Sequence, residues 1–391
     1  MARTIFLGSA PASGGAGTSV QKGIRGVDRA RVLLGCLQPG QSAAAFSDAL
    51  NRLSDRLHYL NSSGDKKQDT SRFWFDTRAN LRREMEDRKG RFDDRGEVRG
   101  KIGEALKKLA AGAGLFDAVH IFTPLADLPD VGALRLVFLS PEKAYSSQDT
   151  SAAFDDVRET VRANGSKLRY RGNRLVFVAA DQGSLLRLRE CVRTVLAWGS
   201  IMDDIEEKRL NIDQLQEEQA KKALETAEGT VPRAARECFK WLLNPVMASA
   251  TDREAAVEKH ELNTSGGTYA AEIARVCQEN EVIVSTWSPI HLRSKLRELY
   301  WKDATVAVRA AAVWEDMQRY LYMPRLKQRG VLEQAIVKGA ASKDFFGTAY
   351  GQSVKVTLEI SAEFPSGASD QTKRTVSENA TALGFKSKSW E

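Results

Sequence analysis

Histidine and cysteine are scarce in this chain, with four of each among 391 residues. The two nearest cysteines, Cys238 and Cys277, are 39 positions apart, so no CxxC pair exists and a local zinc knuckle is excluded. Cys36 and Cys191 complete the set, and reduced thiols in a cytoplasmic protein are the expectation. His58, His120, His260 and His291 form neither an HxH nor an HExxH spacing, which argues against a histidine metal centre. Long apolar runs are missing too. The longest, "LRLVFL" and "LVFVAA", fall far short of the roughly 20 residues that span a bilayer, so no membrane partner is expected. The opening "MARTIFLGSAPASGG" has one basic residue and too brief an apolar stretch for a secretory signal. No GxSxG elbow occurs.

What is present is the composition of a folded protein: 42% hydrophobic, 28% charged, net charge +7. The length accommodates roughly two to three domains. The charge is uneven. Residues 158–193 carry nine Lys or Arg against three acids, and 293–329 carry nine against four, whereas 203–228 carry nine acids against four bases. Basic stretches of this kind attract phosphate backbones, which makes nucleic acid the partner to test against simple solvated helix faces. Arg169, Arg171 and Arg174 are the candidates in the first basic stretch, and Arg293, Lys295 and Arg297 in the second.

Periodicity predicts an α/β fold with a mixed, mostly parallel sheet and flanking helices. A largely helical C-terminal region and a terminal strand–helix unit follow. "RTIFL" reads as a strand, and "RVLLGCLQPG" as a second short strand ending in a Pro-Gly turn. "SAAAFSDALNRLSDRLHYL" has helical spacing, with Ser42 placed to cap it. "RFWFDT" is a short aromatic strand, and "ANLRREMEDRKGRFDDRGEVRGKIGEALKKLA" a long charged helical region. "DAVHIFTP", "LRLVFLSP" and "NRLVFVAAD" read as strands, the last buried on both faces. "SAAFDDVRETVRANG", stopped by Gly165, and "SLLRLRECVRTVLAWGSIM" read as helices. Residues from Asp203 to Gly351 are expected to be mostly helical; "SVKVTLEISAEF" alternates as a strand, and a last helix ends at Gly384. The implied organisation is 1–70 as an N-terminal strand–loop–helix piece, 71–202 as the α/β domain, 203–351 as a helical domain, and 352–391 as the terminal unit.

Residues 10–23, "APASGGAGTSVQKG", follow the first apolar run as a glycine-rich loop, the setting of a phosphate cradle. The chemistry fails. A GxxxxGK[ST] loop needs a lysine before the hydroxyl residue, but Gly17 is followed directly by Thr18 and Ser19. The first glycine would fall at Ala12, and Lys22 comes too late. "GKI" at Gly100–Ile102 lacks the hydroxyl, so the opening loop reads as a surface connector. Asp181, ending an apolar strand, has the setting of a Walker B acid for Mg²⁺; the simpler reading is a cap for the helix after it. The pairs Asp93–Asp94, Asp155–Asp156 and Asp203–Asp204 lie in charge-rich segments and read as solvated faces. In "TYAAEIARVCQENEVIVSTWSPIHLRSKLRELYW", at 268–301, two helices around a turn give a possible helix-turn-helix carrying Arg293, Lys295 and Arg297.

Particular phrases carry a resemblance. "ARTIFLGSAP", "RVLLGCLQPGQSAAAFSDALNRLSDRLHYL", "SRFWFDTRANLRREMEDRK", "RYRGNRLVFVAAD…LAWGSI", "RYLYMPRLKQRGVLEQAI" and "RTVSENATALGFKSKSWE" occur in order over nearly the whole chain. The chain thereby resembles the bacterial predicted ATPases grouped as domain of unknown function 499, of the AAA+ or P-loop superfamily. In that family the nucleotide loop lies upstream of the matched segment. The resemblance therefore implies a C-terminal portion of an ATPase, with ATP and Mg²⁺ held by an upstream ATPase half, and work on nucleic acid beside other defence-system proteins against phage. It also implies an arginine reaching a γ-phosphate, for which Arg3, Arg72 and Arg78 are the candidates. Phe73, Trp74 and Phe75 offer either base stacking or ordinary core packing. The rival expectation is a binding or scaffold protein with no catalysis of its own.

Overall fold

The structure is a computed structural model and describes residues 1–9, 26–57, 59–63, 68–76, 80–147, 151–210, 212–301, 308–340 and 367–382. The chain divides into two compact units: Met1–Trp287 with Trp314–Leu332, and Ser288–Val313 with Glu333–Glu391.

The first unit opens with a small lobe: α1 (Ala2–Ser9), β1 (Val27–Asp28), α2 (Arg29–Leu34), α3 (Ala43–Arg56), β2 (Leu60–Ser62) and β3 (Arg72–Phe75). Its three strands pair antiparallel in the order β1-β3-β2. Two expectations are corrected here, since "RTIFL" and "RVLL" are helical. In α1, one turn places Ile5 and Ser9 on the buried side, and Ser9 Oγ donates back to Ile5 O at 2.7 Å. Ile5 packs with Val32, Leu50, Leu60 and Phe73, so tertiary burial overrides the strand preference of Thr, Ile and Phe. At α2 the Asp28 carboxylate accepts Arg31 N at 2.8 Å, a cap that holds the short apolar run as a helix. α3 forms as expected, although Ser42 makes no side-chain cap bond. The glycine-rich loop, Arg78 and the "SVKVTLEISAEF" strand lie outside the described residues.

The charged segment from Ala79 is broken into pieces: α4 (Leu81–Lys89), one π-helical turn over Asp94–Val98, and α5 (Arg99–Leu109). A five-stranded sheet follows. Its strands are β4 (Ala118–Ile121), β5 (Arg135–Phe138), β8 (Leu175–Ala179), β9 (Trp241–Val246) and β10 (Ala256–Glu261), in the order β10-β9-β8-β5-β4. β4, β5 and β8 run parallel, and β9 and β10 are antiparallel additions. Between β5 and β8 come α6 (Ser151–Arg162) and a two-strand hairpin, β6 (Ala163–Asn164) with β7 (Lys167–Leu168). Gly165, at φ +62°, turns that hairpin instead of merely stopping the helix. β8 leads into α7 (Gln182–Glu206), which runs through residues 202 and 203; α8 (Gln214–Cys238) returns and α9 (Tyr269–Glu279) follows β10.

The fold class is thus mixed α/β, as the patterning predicts. β5 and β8 are buried at every position, with their side chains alternating between two cores. Leu136, Phe138, Val176 and Val178 meet α5, α7, α8 and α9, while Val137, Leu175, Phe177 and Ala179 meet α6. The stretch after Asp203 is mostly helical among the described residues, as expected, but is interrupted by the strands β9 and β10, which the patterning did not announce. Leu262 N donates to Lys240 O at 2.8 Å, so alternate residues of β9 face β10 and Pro245 faces the β8 side. Pairing with β8 reaches only Leu243, so the missing N–H of Pro245 breaks no ladder bond.

In the second unit α10 (Pro289–Leu299) starts with proline after Ser288, whose Oγ accepts His291 N at 3.2 Å. α11 (Ala310–Arg319) and α12 (Arg329–Ala340) each have residues in both units, and α13 (Asp370–Ala382) completes the described helices.

Candidate nucleic-acid interface

The basic stretch around residue 170 behaves differently from its sequence. Arg169 is buried and donates to the carbonyls of Thr160 (2.7 Å), Leu128 (3.2 Å) and Pro129 (3.3 Å). Arg174 is 2% exposed and donates to Gly132 O, Leu326 O and Lys327 O at 2.8, 2.5 and 3.0 Å, with Trp314 across its face. Burial depresses the affinity of both guanidiniums for their proton, that of Arg174 to about 10. Neither reaches a phosphate on the surface. Both are clamps on backbone, and the expectation for them is corrected accordingly. Arg171 remains partly exposed but is engaged by Glu315.

The other candidates are dispersed. Asp181 caps α7: its Oδ2 accepts Ser184 N (3.0 Å) and Ser184 Oγ (2.9 Å), and its Oδ1 accepts Trp241 Nε1 (3.1 Å). Its pKa lies below the usual carboxylate range because these bonds, from Trp241 and Ser184, and the charge of Lys240 outweigh a larger opposing desolvation effect. Arg3 is exposed on α1. Arg72 donates to Gly26 O at 2.5 Å, within the small lobe. Phe73 is fully buried in that lobe's core, with Trp74 and Phe75 half-buried beside it. The helices of the possible helix-turn-helix are α9 and α10, one in each compact unit. On α10, Lys295 is paired with Glu298 at 2.8 Å, Arg293 is half-buried, and Arg297 is exposed. The acid pairs hold cations: Asp94 takes Arg189 and Arg193, Asp155 takes Arg158, Asp156 takes Lys143, and Asp204 takes Arg88 and Arg209.

A different set of cations is brought together with a single acid, Glu104, in their lining. The π-helical turn and α5 present Gly96, Arg99, Gly100, Gly103 and Lys107 to the end of β4, forming an open groove of about 500 Å³ with Ile121 and Phe122 as the far wall. The glycines keep its floor bare; a Cβ on Gly100 would have nothing within 4 Å. Arg95, Arg99 and Lys107 line the groove, and among the described residues none has a carboxylate partner. The one acid in the lining, Glu104, is held by Lys101 at 3.0 Å. The Arg99 guanidinium lies over the Phe122 ring, 5.6 Å from its centroid, and Nη2 donates to Phe122 O at 3.1 Å. Phe122 itself has φ +54°, a left-handed conformation that costs a non-glycine residue roughly 1–2 kcal/mol. Uncompensated positive charge above a bare helix floor is a setting for a polyanion.

Sequence reasoning missed this groove. The signal it offered was glycine at 96, 100 and 103, one helix face, interleaved with Arg95, Arg99 and Lys107. No helix among the described residues is long and apolar enough to cross a membrane. Comparison with protein-family models, curated proteins and solved structures found no match for the chain.

Proposed function

We propose that this chain binds nucleic acid through its phosphate backbone, as a non-hydrolysing portion of an ATPase of the kind it resembles. The observation carrying this reading is the groove between α5 and β4, where Arg95, Arg99 and Lys107 line one surface with no carboxylate ion-paired to them among the described residues. Several arginines elsewhere in the fold are committed, Arg88 to Glu84 and Asp204 and Arg174 to backbone carbonyls. Three cations left over in one concave surface favour a polyanion over a neutral ligand.

ATP and Mg²⁺ enter only through the resemblance, in which an upstream ATPase half would hold them and Arg3, Arg72 or Arg78 would supply a γ-phosphate contact. Two features of Asp181 favour a cap over a Mg²⁺ ligand: both its oxygens are occupied, and it sits at the N-terminus of α7. The context we propose is cytoplasmic phage defence, and the four free thiols support a reducing compartment. Binding of labelled oligonucleotides at low and raised salt tests the reading, with Arg95→Glu and Lys107→Glu as the disabling changes.

A further inference from the structure

We propose that the Arg99–Phe122 pair is a stacking platform for one base of a single-stranded nucleic acid, with Arg95 and Lys107 meeting the phosphates on either side. This rests on the nucleic-acid reading above and adds the strand type and the role of each residue.

The platform is built before any ligand arrives. Arg99 is pinned twice, by its hydrogen bond to Phe122 O and by the ring beneath its guanidinium. The ring is fixed in turn by Phe239, whose centroid is 5.9 Å away, and by the α5 backbone at Gly103, where a Cβ would come within 3.6 Å of it. The Arg99 guanidinium, 5.6 Å from the Phe122 ring centroid, lines the groove together with that ring, and both guanidinium planes and aromatic rings stack on unpaired bases. The space beside it is open, because Gly100 carries no side chain and no atom lies within 4 Å of where one would start.

The charges are spaced for a strand. Lys107 follows Arg99 by eight residues on α5, about 12 Å along the axis. That is roughly three to four nucleotide steps at the stacked spacing of about 3.4 Å. A duplex does not fit this chemistry, since its bases are already stacked on each other and offer no free face. Single strands do, and sequence-tolerant stacking on a cationic track is how such strands are held.

The experiment uses the full chain and fluorescence anisotropy with four labelled probes: a twelve-nucleotide oligothymidylate, the same phosphodiester backbone with abasic sites, an oligouridylate of equal length, and a hairpin duplex. The expected order is oligothymidylate and oligouridylate tightest, with the abasic strand and the duplex weaker. Stacking of a single base gives about a 5- to 150-fold difference between the thymidylate and the abasic strand. Arg99→Lys, which keeps the charge and loses the plane, is expected to remove that difference between the thymidylate and abasic strands. Phe122→Leu serves as a second variant with the same expectation. Equal affinity of the unaltered protein for the thymidylate and abasic strands overturns the platform but leaves backbone binding standing. Preference for the duplex overturns it as well, as does equal affinity for a thymidine monophosphate competitor. No binding of any probe at low salt means that the nucleic-acid reading itself has failed.

Discussion

Arg325 offers the sharpest test of how this fold is held together. Its side chain is 4% exposed and donates through Nε to Asn173 O (2.8 Å), through Nη1 to Asn244 Oδ1 (2.6 Å) and Val282 O (3.0 Å), and through Nη2 to Pro245 O (3.3 Å). It ties the segment after α11 to the residues before β8, to β9 and to the turn after α9 in one contact. Burial and the nearby Arg174 charge push its pKa down to about 10, so at neutral pH it is still a buried cation. Arg325→Met removes four bonds from a charged donor, a gross loss of roughly 6–12 kcal/mol at about 1.5–3 each. Relief from desolvating the charge returns several kcal/mol, which leaves a net loss of about 3–5 kcal/mol. With an unfolding entropy of about 2.1 cal/mol/K per residue over the first compact unit, each kcal/mol is worth about 1.6 °C. The expected fall in Tm by differential scanning calorimetry is therefore roughly 5–8 °C. Arg325→Lys, which keeps the buried charge but has no fork, is expected to fall at least as far. An unchanged or raised Tm for Arg325→Met refutes the reasoning, because it would mean that the desolvation cost exceeds the worth of the four bonds.

Three further outcomes follow from single contacts. His120 Nε2 accepts Arg135 Nε–H at 3.1 Å, and desolvation, then the Arg135 charge, hold its pKa below 6.5. The unfolded chain therefore takes up a proton that the folded state refuses, so stability should drop as pH falls through about 6.5. In His120→Asn that part of the slope disappears from urea denaturation at pH 7.5 and pH 5.5; an identical slope in the variant would contradict it. Asp181→Ala strips the α7 cap and the partner of Trp241 Nε1, and a loss of about 0.5–2 kcal/mol in urea denaturation is expected. A Cβ on Gly172 would stand 2.7 Å from Val161 O, so Gly172→Ala should cost about 1–3 kcal/mol by the same measurement, and a neutral result would show that the backbone there yields freely.

The central sheet was legible because β8 is an unbroken apolar run and β5 is apolar after Arg135, which a strand covered on both faces requires. α6 and α7 were legible for a similar reason, since their apolar residues recur at helical spacing, and α7 also follows the Asp181 cap. β9 and β10 were not. "WLLNPV" contains a proline that breaks no ladder bond because pairing with β8 stops at Leu243, and "AVEKHE" is an edge strand whose charges look like a solvated helix. α1 was misread because the β-prone Thr4, Ile5 and Phe6 cannot announce that, of "RTIFL", Ile5 alone will be buried. The candidate site failed in an instructive way. A count of Lys and Arg along the chain cannot separate Arg169 and Arg174, which are consumed by backbone carbonyls, from Arg95 and Lys107, which are not. That difference exists only once distant segments meet.

The measurement that bears most directly on the account is the salt dependence of oligonucleotide affinity. If Arg95, Arg99 and Lys107 each displace a counterion from a single strand, the plot of log K against log salt should have a slope near −2, at about −0.7 per contact. In the Arg95→Gln, Lys107→Gln variant the slope should shrink to about −0.7, with weaker binding to every sequence alike. Absence of binding at low salt, or a slope unchanged by removing both charges, would contradict the assignment of the groove between α5 and β4 as the nucleic-acid interface.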